Sequence, residues 1–576
     1  MKTKSIIINR CKFLSYILPY LAIFGFTTII LWDQLLSHAT FITADRFFHF
    51  SRFYDSAMQI QTGNFNFFQT NFTFLQSGRV INALYGPFFA YLNGILLLVC
   101  RTWYRYQIIS DYLLYIIAGM AMFRLCRKVK TPYVGAILLS LLYLSVGILP
   151  GWLRASNFMA WGAALAPYVM MQAVNMVQDR KRPIHWVSLM LIMALVAQIH
   201  VLSTLLLAIS LIPFFVYALI NSNQKQTTLL NTLYAVIGTV ALSANIWGSF
   251  LLLYSKNTIA TPKTFTLTYS THLNFLHSEH GNLPLFVLIL IVCQLIYICF
   301  HLHQSSLNNM VTFVGLFFFI LSSNLIPWVQ LGHHFPVLER SFQFPYRILV
   351  VAYPLLFLSI GITLSLLSKK GWRTLTYLLL CCAIYEGGYS MVRTNQHYTA
   401  DYNDSERVTI LSTYYYNTSH RAEFWHALHS SNLGEIFTLL NRSEPDYLPL
   451  KNNELSWKNI NKLYEQEIIN PSSNYIHKVE DGKLNLYWQA NATQKVTLPI
   501  VMYDQSKLTL NGHNVNPKTS LIGAPIITQK QGYNHAVLSF IVPGWFNFLL
   551  GLSIFSWLTF TLWGIYYWLT FVKQKR

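Results

Sequence analysis

The chain has 576 residues, of which 54% are hydrophobic and only 11% are charged, and its mean hydropathy is +0.38. A soluble protein of this length would carry about a quarter charged residues, so the composition excludes an ordinary soluble protein. The net charge is +20, from 41 Lys and Arg against 21 Asp and Glu. In a membrane protein this excess indicates a positive-inside bias and contact with anionic lipid, and no basic arm or motif predicts nucleic acid as a partner.

Apolar runs of roughly 17 or more residues recur along most of the chain and predict an all-α polytopic membrane protein. The N-terminal tail is basic, which places it in the cytoplasm. The first apolar run, about 14–36, is too long for a signal-peptide core and lacks a small-residue cleavage site, so we expect an uncleaved spanning helix. Residues 38–79 then form an outer loop with one amphipathic helix (about 45–61), which Gly63 ends.

The next apolar run, 80–100, is expected not to cross the membrane. If it crossed, the basic stretches 124–130 and 180–182 would lie outside, against the positive-inside bias. Gly86-Pro87 and Gly94 suit an interfacial or re-entrant hairpin, so the outer loop extends over 38–106. Run 184–221 is too long for one crossing, and Gln198-Ile199-His200 marks its expected break. The further spans are predicted at 107–124, 132–150, 157–176, 184–200, 202–221, 229–253, 284–303, 309–326, 346–367, 372–391 and 543–571, about twelve with the first helix.

The chain therefore divides into a multi-spanning membrane domain (1–391), an external soluble domain (392–541), and a final spanning helix with a basic cytoplasmic tail (543–576). The soluble domain opens with helical stretches at about 419–441 and 453–468. Alternating strands follow at 483–489, 495–503, 507–515 and 535–542, with Asn511-Gly512 and Gln531-Gly532 as turns. This pattern predicts an external α+β domain that contains a small antiparallel β-sandwich.

Three polar residues follow the first predicted helix at helical spacing. Asp45, His49 and Arg52 stand at i, i+4 and i+7, so a helix puts them on one face. An acid, an imidazole and a guanidinium at the mouth of an apolar bundle indicate a site for a phosphate-bearing, lipid-linked ligand. Simpler readings stay open: Asp45 as the N-cap of the helix, and His49 and Arg52 as residues at the lipid–water interface, where Arg snorkels.

Other candidate residues lie in later loops. Arg154 lies in a short outer loop between two predicted helices, where it would grip a diphosphate or a lipid headgroup, and His200 interrupts an apolar run, where a polar residue is functional or bonds across helices. Arg347 stands at the outer entrance to a helix. The cluster His272, His277, Glu279 and His280, like His333-His334, matches no zinc-protease motif and is more simply a surface loop.

Four motifs match a known pattern. They are D-x-x-F-H-x-x-R at Asp45, Phe48, His49 and Arg52, Arg154 thirteen residues before Pro167, QFPYR at 343–347, and DYLP at 446–449. With an outer-loop Asp after the first helix, a non-crossing helix and many spans before an external domain, the chain resembles the GT-C superfamily of polyprenyl-phosphate-sugar-dependent glycosyltransferases. More narrowly, it is similar to the bacterial membrane-protein family labelled "6-pyruvoyl-tetrahydropterin synthase-related", a label that we do not interpret as a function.

The resemblance implies an inverting transfer of a sugar from a polyprenyl phosphate at the outer face of the bacterial plasma membrane, to a glycan, lipid or protein acceptor. Asp45 would be the catalytic base or a metal ligand. Arg52, Arg154 and Arg347 would hold the phosphate, and His49 and His200 would line the same substrate site. A divalent metal, Mg²⁺ or Mn²⁺, would want oxygen ligands. Both termini would be cytoplasmic, with 392–541 extracellular.

One residue departs from the family pattern. Five residues after the Arg the family usually has a Glu, and counted from Arg154 that position is Met159, whose thioether neither takes a proton nor binds Mg²⁺ or Mn²⁺ usefully. The leading hypothesis is therefore a cell-envelope glycosyltransferase. The alternative is a catalytically inactive relative, a membrane scaffold or a lipid-linked-glycan binder. A transporter or flippase would predict paired inverted halves with broken helices, and only the run near His200 looks broken.

Overall fold

The computed structural model of the protein describes residues 2–43, 45–263, 265, 267–271, 283–404, 414–416, 420–452 and 455–574. About 66% of it is helical. The first eighteen helices are α1 (Lys2–Ile30), α2 (Trp32–Ser37), α3 (Arg46–Thr62), α4 (Pro87–Cys100), α5 (Trp103–Lys128), α6 (Tyr133–Ser145), α7 (Pro150–Ala155), α8 (Met159–Gln178), α9 (Trp186–Ile199), α10 (Val201–Asn221), α11 (Lys225–Leu242), α12 (Ala244–Tyr254), α13 (Leu285–Phe300), α14 (Ser306–Ser322), α15 (Trp328–His334), α16 (Pro336–Ser341), α17 (Leu349–Leu366) and α18 (Lys370–Asp404).

Several of these helices have the length and composition of membrane spans. Within the described residues, six stretches qualify: Trp103–Lys128, Tyr133–Ala155, Val201–Asn221, Pro345–Leu366, Lys370–Asn403 and Gly544–Tyr567. The pair α11–α12 adds a seventh if a helix bent by 63° is one span. Shorter apolar helices accompany them, α4, α9, α13 and α14 among others. The chain therefore has the helices of a multi-pass membrane protein, and the expected total of about twelve spans stays a prediction.

The amphipathic helix expected at 45–61 is confirmed as α3. Asp45 is its N-terminal flanking residue, and Gly63 ends it with a φ of 73°, a left-handed conformation that glycine adopts without a steric penalty. Helix α3 packs along α4, where Gly94 allows the close approach: a Cβ there would lie 2.9 Å from the backbone nitrogen of Ala57. At about 1.5 Å per residue α4 is about 21 Å long, and whether the segment 80–100 crosses the membrane stays a prediction.

The apolar run 184–221 breaks where the sequence predicts. Helix α9 ends at Ile199, α10 begins at Val201, and His200 between them has an extended backbone. A second break, between α11 and α12 at Ser243, was not expected. The two breaks meet: the Gln198 side chain donates to the Leu242 carbonyl at 3.0 Å and to Asn245 Oδ1 at 2.6 Å. Burial of these amides is tolerated because each finds a partner.

The C-terminal part combines short helices with two antiparallel sheets. The helices are α19 (Arg421–His429), α20 (Ile436–Leu439), α21 (Trp457–Tyr464), α22 (Asn470–Ser472) and, after the strands, α23 (Gly544–Gln574). Two short strands lie in the N-terminal part, and one lies between α12 and α13. In chain order the strands are β1 (Gln69–Thr70), β2 (Arg79–Val80), β3 (Thr258–Ile259), β4 (Tyr414–Tyr416), β5 (Leu440–Arg442), β6 (Pro449–Leu450), β7 (Ile476–Glu480), β8 (Lys483–Ala490), β9 (Gln494–Thr497), β10 (Ser506–Leu510), β11 (His513–Val515), β12 (Lys518–Thr519), β13 (Pro525–Gln529) and β14 (Gly532–Phe540).

The expected β-sandwich is present. A five-stranded sheet of order β11-β10-β14-β8-β7 and a three-stranded sheet of order β12-β13-β9 share a core that includes Leu486, Leu508 and Ile527. The strand expected at 495–503 is wrong in extent, because β9 ends at Thr497, just before Leu498 and Pro499. Proline has no N–H to donate to a sheet, so it ends the pairing.

The N- and C-terminal parts pack against each other rather than forming separate bodies. Helix α18 runs without a break across the expected boundary at 391 and ends at Asp404. Strand β3 pairs with β6, which joins the end of α12 to the segment 449–450. A buried cluster draws on both parts, with Phe68, Leu253 and Leu448 among its members. This packing brings the segment 440–450 onto the region that follows the first helices.

Candidate functional site

Asp45 lies at the start of α3, on the turn between α7 and α8. Its backbone N–H donates to the carbonyl of Ala155 at 3.3 Å, and two residues earlier Thr43 Oγ1 donates to the carbonyl of Arg154 at 2.7 Å. The Asp45 side chain makes no capping hydrogen bond to α3, and in the described part of the chain its carboxylate has neither a hydrogen bond nor an ion pair. The side chain is open to solvent. The capping alternative therefore lacks the bond that defines it.

The next residue, Arg46, attaches the start of α3 to the same turn. Its guanidinium is 1% exposed; Nε donates to Ser156 Oγ at 2.8 Å, and Nη2 donates to the carbonyls of Trp152 and Leu153 at 3.0 and 2.8 Å. Buried charge-assisted bonds of this kind restrict the geometry of both partners. Arg46 thus sets where Asp45 stands, a role that the sequence did not reveal because Arg46 is not on the expected polar face.

His49 and Arg52 continue the polar face of α3, and both are buried. Arg52 Nη1 donates to His49 Nδ1 at 3.0 Å, Nε donates to Asn82 Oδ1 at 3.1 Å, and Nη2 donates to the carbonyl of Tyr85. The Arg52 guanidinium also lies over the Tyr85 ring, 4.4 Å from its centroid. Desolvation, and then the nearby Arg52 charge, lower the pKa of His49 well below its usual value. His49 is therefore neutral, and its Nδ1 accepts the hydrogen bond from Arg52 Nη1.

Arg52 is enclosed by the protein. Its exposure is 0%, and each of its three nitrogens has a partner, which engages three of its five N–H groups. A phosphate would have to enter this buried cluster to reach it. The Arg52 guanidinium therefore holds His49, Asn82 and Tyr85 in place.

The break at His200 lies against the same cluster. His200 Nδ1 accepts from the backbone N–H of Ser203 at 3.2 Å and so caps α10. Gly86 approaches the C-terminal end of α9 so closely that a Cβ there would lie 2.3 Å from the Gln198 carbonyl oxygen. The charge on Arg347 acts on His200, which places those two side chains in one electrostatic environment. Nδ1 of His200 is thus structural, and among the described residues its Nε2 has no hydrogen-bond partner.

The QFPYR motif supplies a second arginine beside Asp45. Arg347 Nη1 donates to the carbonyl of Phe342 at 3.1 Å, Nη2 donates to Gln343 Oε1 at 3.0 Å, and the guanidinium lies 4.8 Å from the Phe344 ring centroid. Gln343 has a φ of 60°, a left-handed turn that points its side chain back at Arg347. The arginine is only partly buried. It is therefore oriented by its neighbours and still accessible.

The segment 442–446 adds charged groups that the sequence did not single out. Arg442 and Glu444 form a buried ion pair, and Arg79, itself fully buried, donates to the backbone carbonyl of Asp446. The DYLP motif begins at that Asp446. The available sequence signal was three charged residues within five positions, next to DYLP, in a chain with few charges.

Asp45, Arg347 and Arg442 are close enough to interact electrostatically. Although the Asp45 side chain reaches solvent, the protein packed around it removes part of the hydration of its carboxylate and so raises its pKa, and the charges of Arg442 and Arg347 partly offset that rise. Desolvation likewise raises the pKa of Glu444 to about 7 and that of Asp446 to about 6. Asp45 in turn raises the pKa values of both of these carboxyl groups. Asp45 therefore shares one electrostatic environment with two arginines and with acids whose pKa values are raised toward neutral pH.

No protein-family model matches this chain. No curated protein sequence matches it either. What the site can bind or catalyse therefore follows from its own residues.

Arg154 lies in the last turn of α7. It lines a small cavity with Ile30, Met391 and Tyr398, on α1 and α18, and Asp45 does not line that cavity. Its backbone carbonyl accepts from Thr43, and the charges of Arg154, Arg347 and Asp45 all act on Tyr346. The structure thus brings together Asp45, His49, Arg52, His200 and Arg347, with the Arg154 charge acting on the same region.

A divalent metal at Asp45 stays a prediction, because Mg²⁺ is often held by one or two carboxylates together with substrate phosphates. Among the described residues, no three His, Cys, Asp or Glu side chains are close enough together to hold a metal ion. Met159 is 1% exposed, and its backbone N–H donates to Asn157 Oδ1, so it packs in the core instead of facing the recess around Asp45. The cluster at His272, His277, Glu279 and His280 lies outside the described residues, and His333-His334 are exposed on α15. We derive no step through a metal.

Proposed function

We propose that this protein is a GT-C-like glycosyltransferase, akin to the bacterial family named above, that moves a sugar from a polyprenyl-phosphate donor to a glycan, lipid or protein acceptor. The observation that carries the proposal is the Asp45 carboxylate: solvent-accessible, without a hydrogen-bond or ion-pair partner among the described residues, and flanked by Arg347 and Arg442. A base needs a free carboxylate, and a phosphate leaving group needs cations. Three of the matched motifs contribute residues to this one recess.

In the proposed reaction Asp45 accepts the proton of an acceptor hydroxyl. The hydroxyl oxygen forms a bond to the anomeric carbon of the sugar while the bond from that carbon to the phosphate oxygen breaks. The electron pair leaves with the phosphate, and Arg347 and Arg442 stabilise its negative charge. The raised pKa of Asp45 makes it a better proton acceptor than an ordinary surface carboxylate. Attack opposite the leaving phosphate inverts the anomeric centre.

The remaining residues would position these groups. Arg46 anchors Asp45, and Arg52 holds His49 and Tyr85 beneath it. His200 would contact the sugar or its phosphate through its second nitrogen. Arg154 would serve the lipid headgroup. We place the reaction at the outer face of the bacterial plasma membrane, with about twelve spans, both termini cytoplasmic and 392–541 extracellular.

The test compares envelope glycans, by sugar analysis and mass spectrometry, in wild type, a deletion strain and an Asp45→Asn strain with wild-type protein level. We expect the deletion and Asp45→Asn to lose the same sugar. The matched control is Asp481→Asn: Asp481 lies in the exposed β7–β8 turn with a φ of 50°, which Asn tolerates. A wild-type glycan in the Asp45→Asn strain would contradict catalysis by this carboxylate.

Two observations favour a second candidate, a non-catalytic scaffold or lipid-linked-glycan binder. Met159 is buried where the family pattern has an acid, and Arg52 is fully engaged with the protein itself. For a scaffold, the deletion changes the glycan while Asp45→Asn does not. The same three strains therefore separate the two functions.

A further inference from the structure

A pair of short helices, α15 and α16, exposes apolar side chains beside the site. Leu325, just before α15, is 63% exposed, Phe335 between the helices is 60% exposed, and Val337 on α16 is 69% exposed. Large apolar side chains grouped in this way mark a surface that contacts another apolar phase. Water alone would leave all three unfavourably hydrated.

The helix pair that exposes these apolar side chains is itself well packed. The Trp328 and Phe342 rings lie 5.6 Å apart and close the two ends of the helix pair, and Trp328 Nε1 donates to the Leu321 carbonyl at 3.0 Å. Gly332 and Glu339 pack so tightly that a Cβ on Gly332 would lie 2.7 Å from Glu339 Oε1. The packing holds the helix pair in shape, and the apolar side chains point away from it.

Cationic and titratable groups border the apolar surface. His333, His334 and Arg340 are exposed around Phe335 and Val337, whereas Glu339 is partly buried against Gly332. The helix pair is also tied at both ends to apolar helices, α14 before it and α17 after it. An apolar surface bordered by an arginine and two histidines at the end of apolar helices complements anionic lipid headgroups above and acyl chains below.

The helix pair is connected directly to the Asp45 recess. Phe342, which packs on Trp328, gives its carbonyl to Arg347 Nη1 at 3.1 Å. Gln343, the next residue, holds Arg347 Nη2. A lipid phosphate held by Arg347 would therefore have its hydrocarbon chain next to the apolar side of this pair.

We propose that α15 and α16 lie in the headgroup region of the leaflet on the Asp45 side and form the lipid-side entrance to the recess, where the chain of a lipid phosphate rests. The entrance role rests on the proposed function, and the membrane contact does not.

The first experiment measures membrane contact in the full chain. Single-cysteine variants Val337→Cys and Lys483→Cys, with the seven native cysteines replaced by Ala, are labelled with an environment-sensitive fluorophore and placed in nanodiscs of phosphatidylcholine and phosphatidylglycerol. Lys483 is exposed at the β7–β8 hairpin and serves as the aqueous control. We expect blue-shifted emission and quenching by doxyl-labelled lipid at position 337 alone. Quenching of position 337 by aqueous iodide as strong as at position 483 would overturn the proposal.

The second experiment measures binding of decaprenyl phosphate and of dimethylallyl phosphate, which shares the phosphate but lacks the long chain. A Phe335→Glu/Val337→Glu variant should bind the long-chain probe about tenfold more weakly and the short-chain probe as wild type does. Tyr533→Glu, at an exposed position on β14, is the control. Unchanged affinity for the long-chain probe would overturn the entrance role. If wild type binds neither probe while position 337 is still quenched by lipid, the proposed function fails and the membrane contact stands.

Discussion

Arg46 Nε donates to Ser156 Oγ at 2.8 Å, joining residues that are 110 positions apart. Ser156 has a φ of 53°, and this left-handed turn presents the carbonyls of Trp152 and Leu153 to the same guanidinium. These hydrogen bonds fix the position of the start of α3, and therefore also the position of Asp45 and its accessible carboxylate. The start of α3 is therefore positioned by the α7–α8 turn.

Arg46→Met should destabilise the protein and reduce function together. The change leaves the Ser156 hydroxyl and two carbonyls without their buried donor, which costs about 3 kcal/mol. The thermal unfolding midpoint in detergent measures this cost. Arg340→Met, at an exposed position, should change stability by no more than about 0.5 kcal/mol. Equal midpoints for the two variants would contradict the anchoring role.

Gly86→Ala should be much more damaging than Gly63→Ala. Both glycines have a positive φ, 69° and 73°, so both substitutions carry a backbone strain of about 1 kcal/mol. Only at Gly86 does the new Cβ also meet an atom, the Gln198 carbonyl oxygen at 2.3 Å, whereas nothing lies within 4 Å at Gly63. We expect Gly86→Ala to lower the thermal midpoint clearly and to perturb donor binding near His200. Similar thermal midpoints for the two variants would show that the close approach of Gly86 to the Gln198 carbonyl does not affect stability.

Stability should fall as pH rises through the range in which Asp55 ionises in the unfolded chain. Asp55 is fully buried, and desolvation raises its pKa to about 7, although Phe72 N–H and Gln59 Nε2 donate to its oxygens. An acid with a raised folded-state pKa keeps its proton in the folded state and loses it in the unfolded state between about pH 4 and pH 7. The unfolded state therefore gains free energy from ionisation as pH rises, and stability declines up to about pH 7 and then levels off.

The measurement is the thermal midpoint from pH 4 to pH 8 for wild type and Asp55→Asn. Because Asn does not titrate, the variant should show a shallower decline. A slope unchanged by Asp55→Asn would assign the pH dependence to other acids, Glu444 and Asp446 first.

Arg442→Met should be more harmful at pH 8 than at pH 5. With a pKa of about 7, Glu444 is protonated at pH 5, and loss of its partner then leaves no buried charge. At pH 8 Glu444 is ionised in wild type, and removing Arg442 leaves it buried without its counter-ion, at a cost of about 3 kcal/mol. The double variant Arg442→Met/Glu444→Gln removes both charges, so the additional loss of stability that Arg442→Met shows at pH 8 should disappear. A single-variant penalty that is equal at both pH values would show that the ion pair does not form.

The amino-acid sequence by itself determined the features that depend on neighbouring residues. The helix at 45–61 and its end at Gly63, the break at His200, and the Asn511-Gly512 hairpin were all predictable, because apolar periodicity and a left-handed glycine act within a few residues. Tertiary structure alone decided which polar side chains are available to bind a ligand. Arg52 is on the expected face but finds partners in Asn82 and Tyr85, whereas Arg442 reaches Asp45 because the segment 440–450 packs back on the start of the chain. Burial and pairing depend on residues that are distant in sequence, so no local pattern records them.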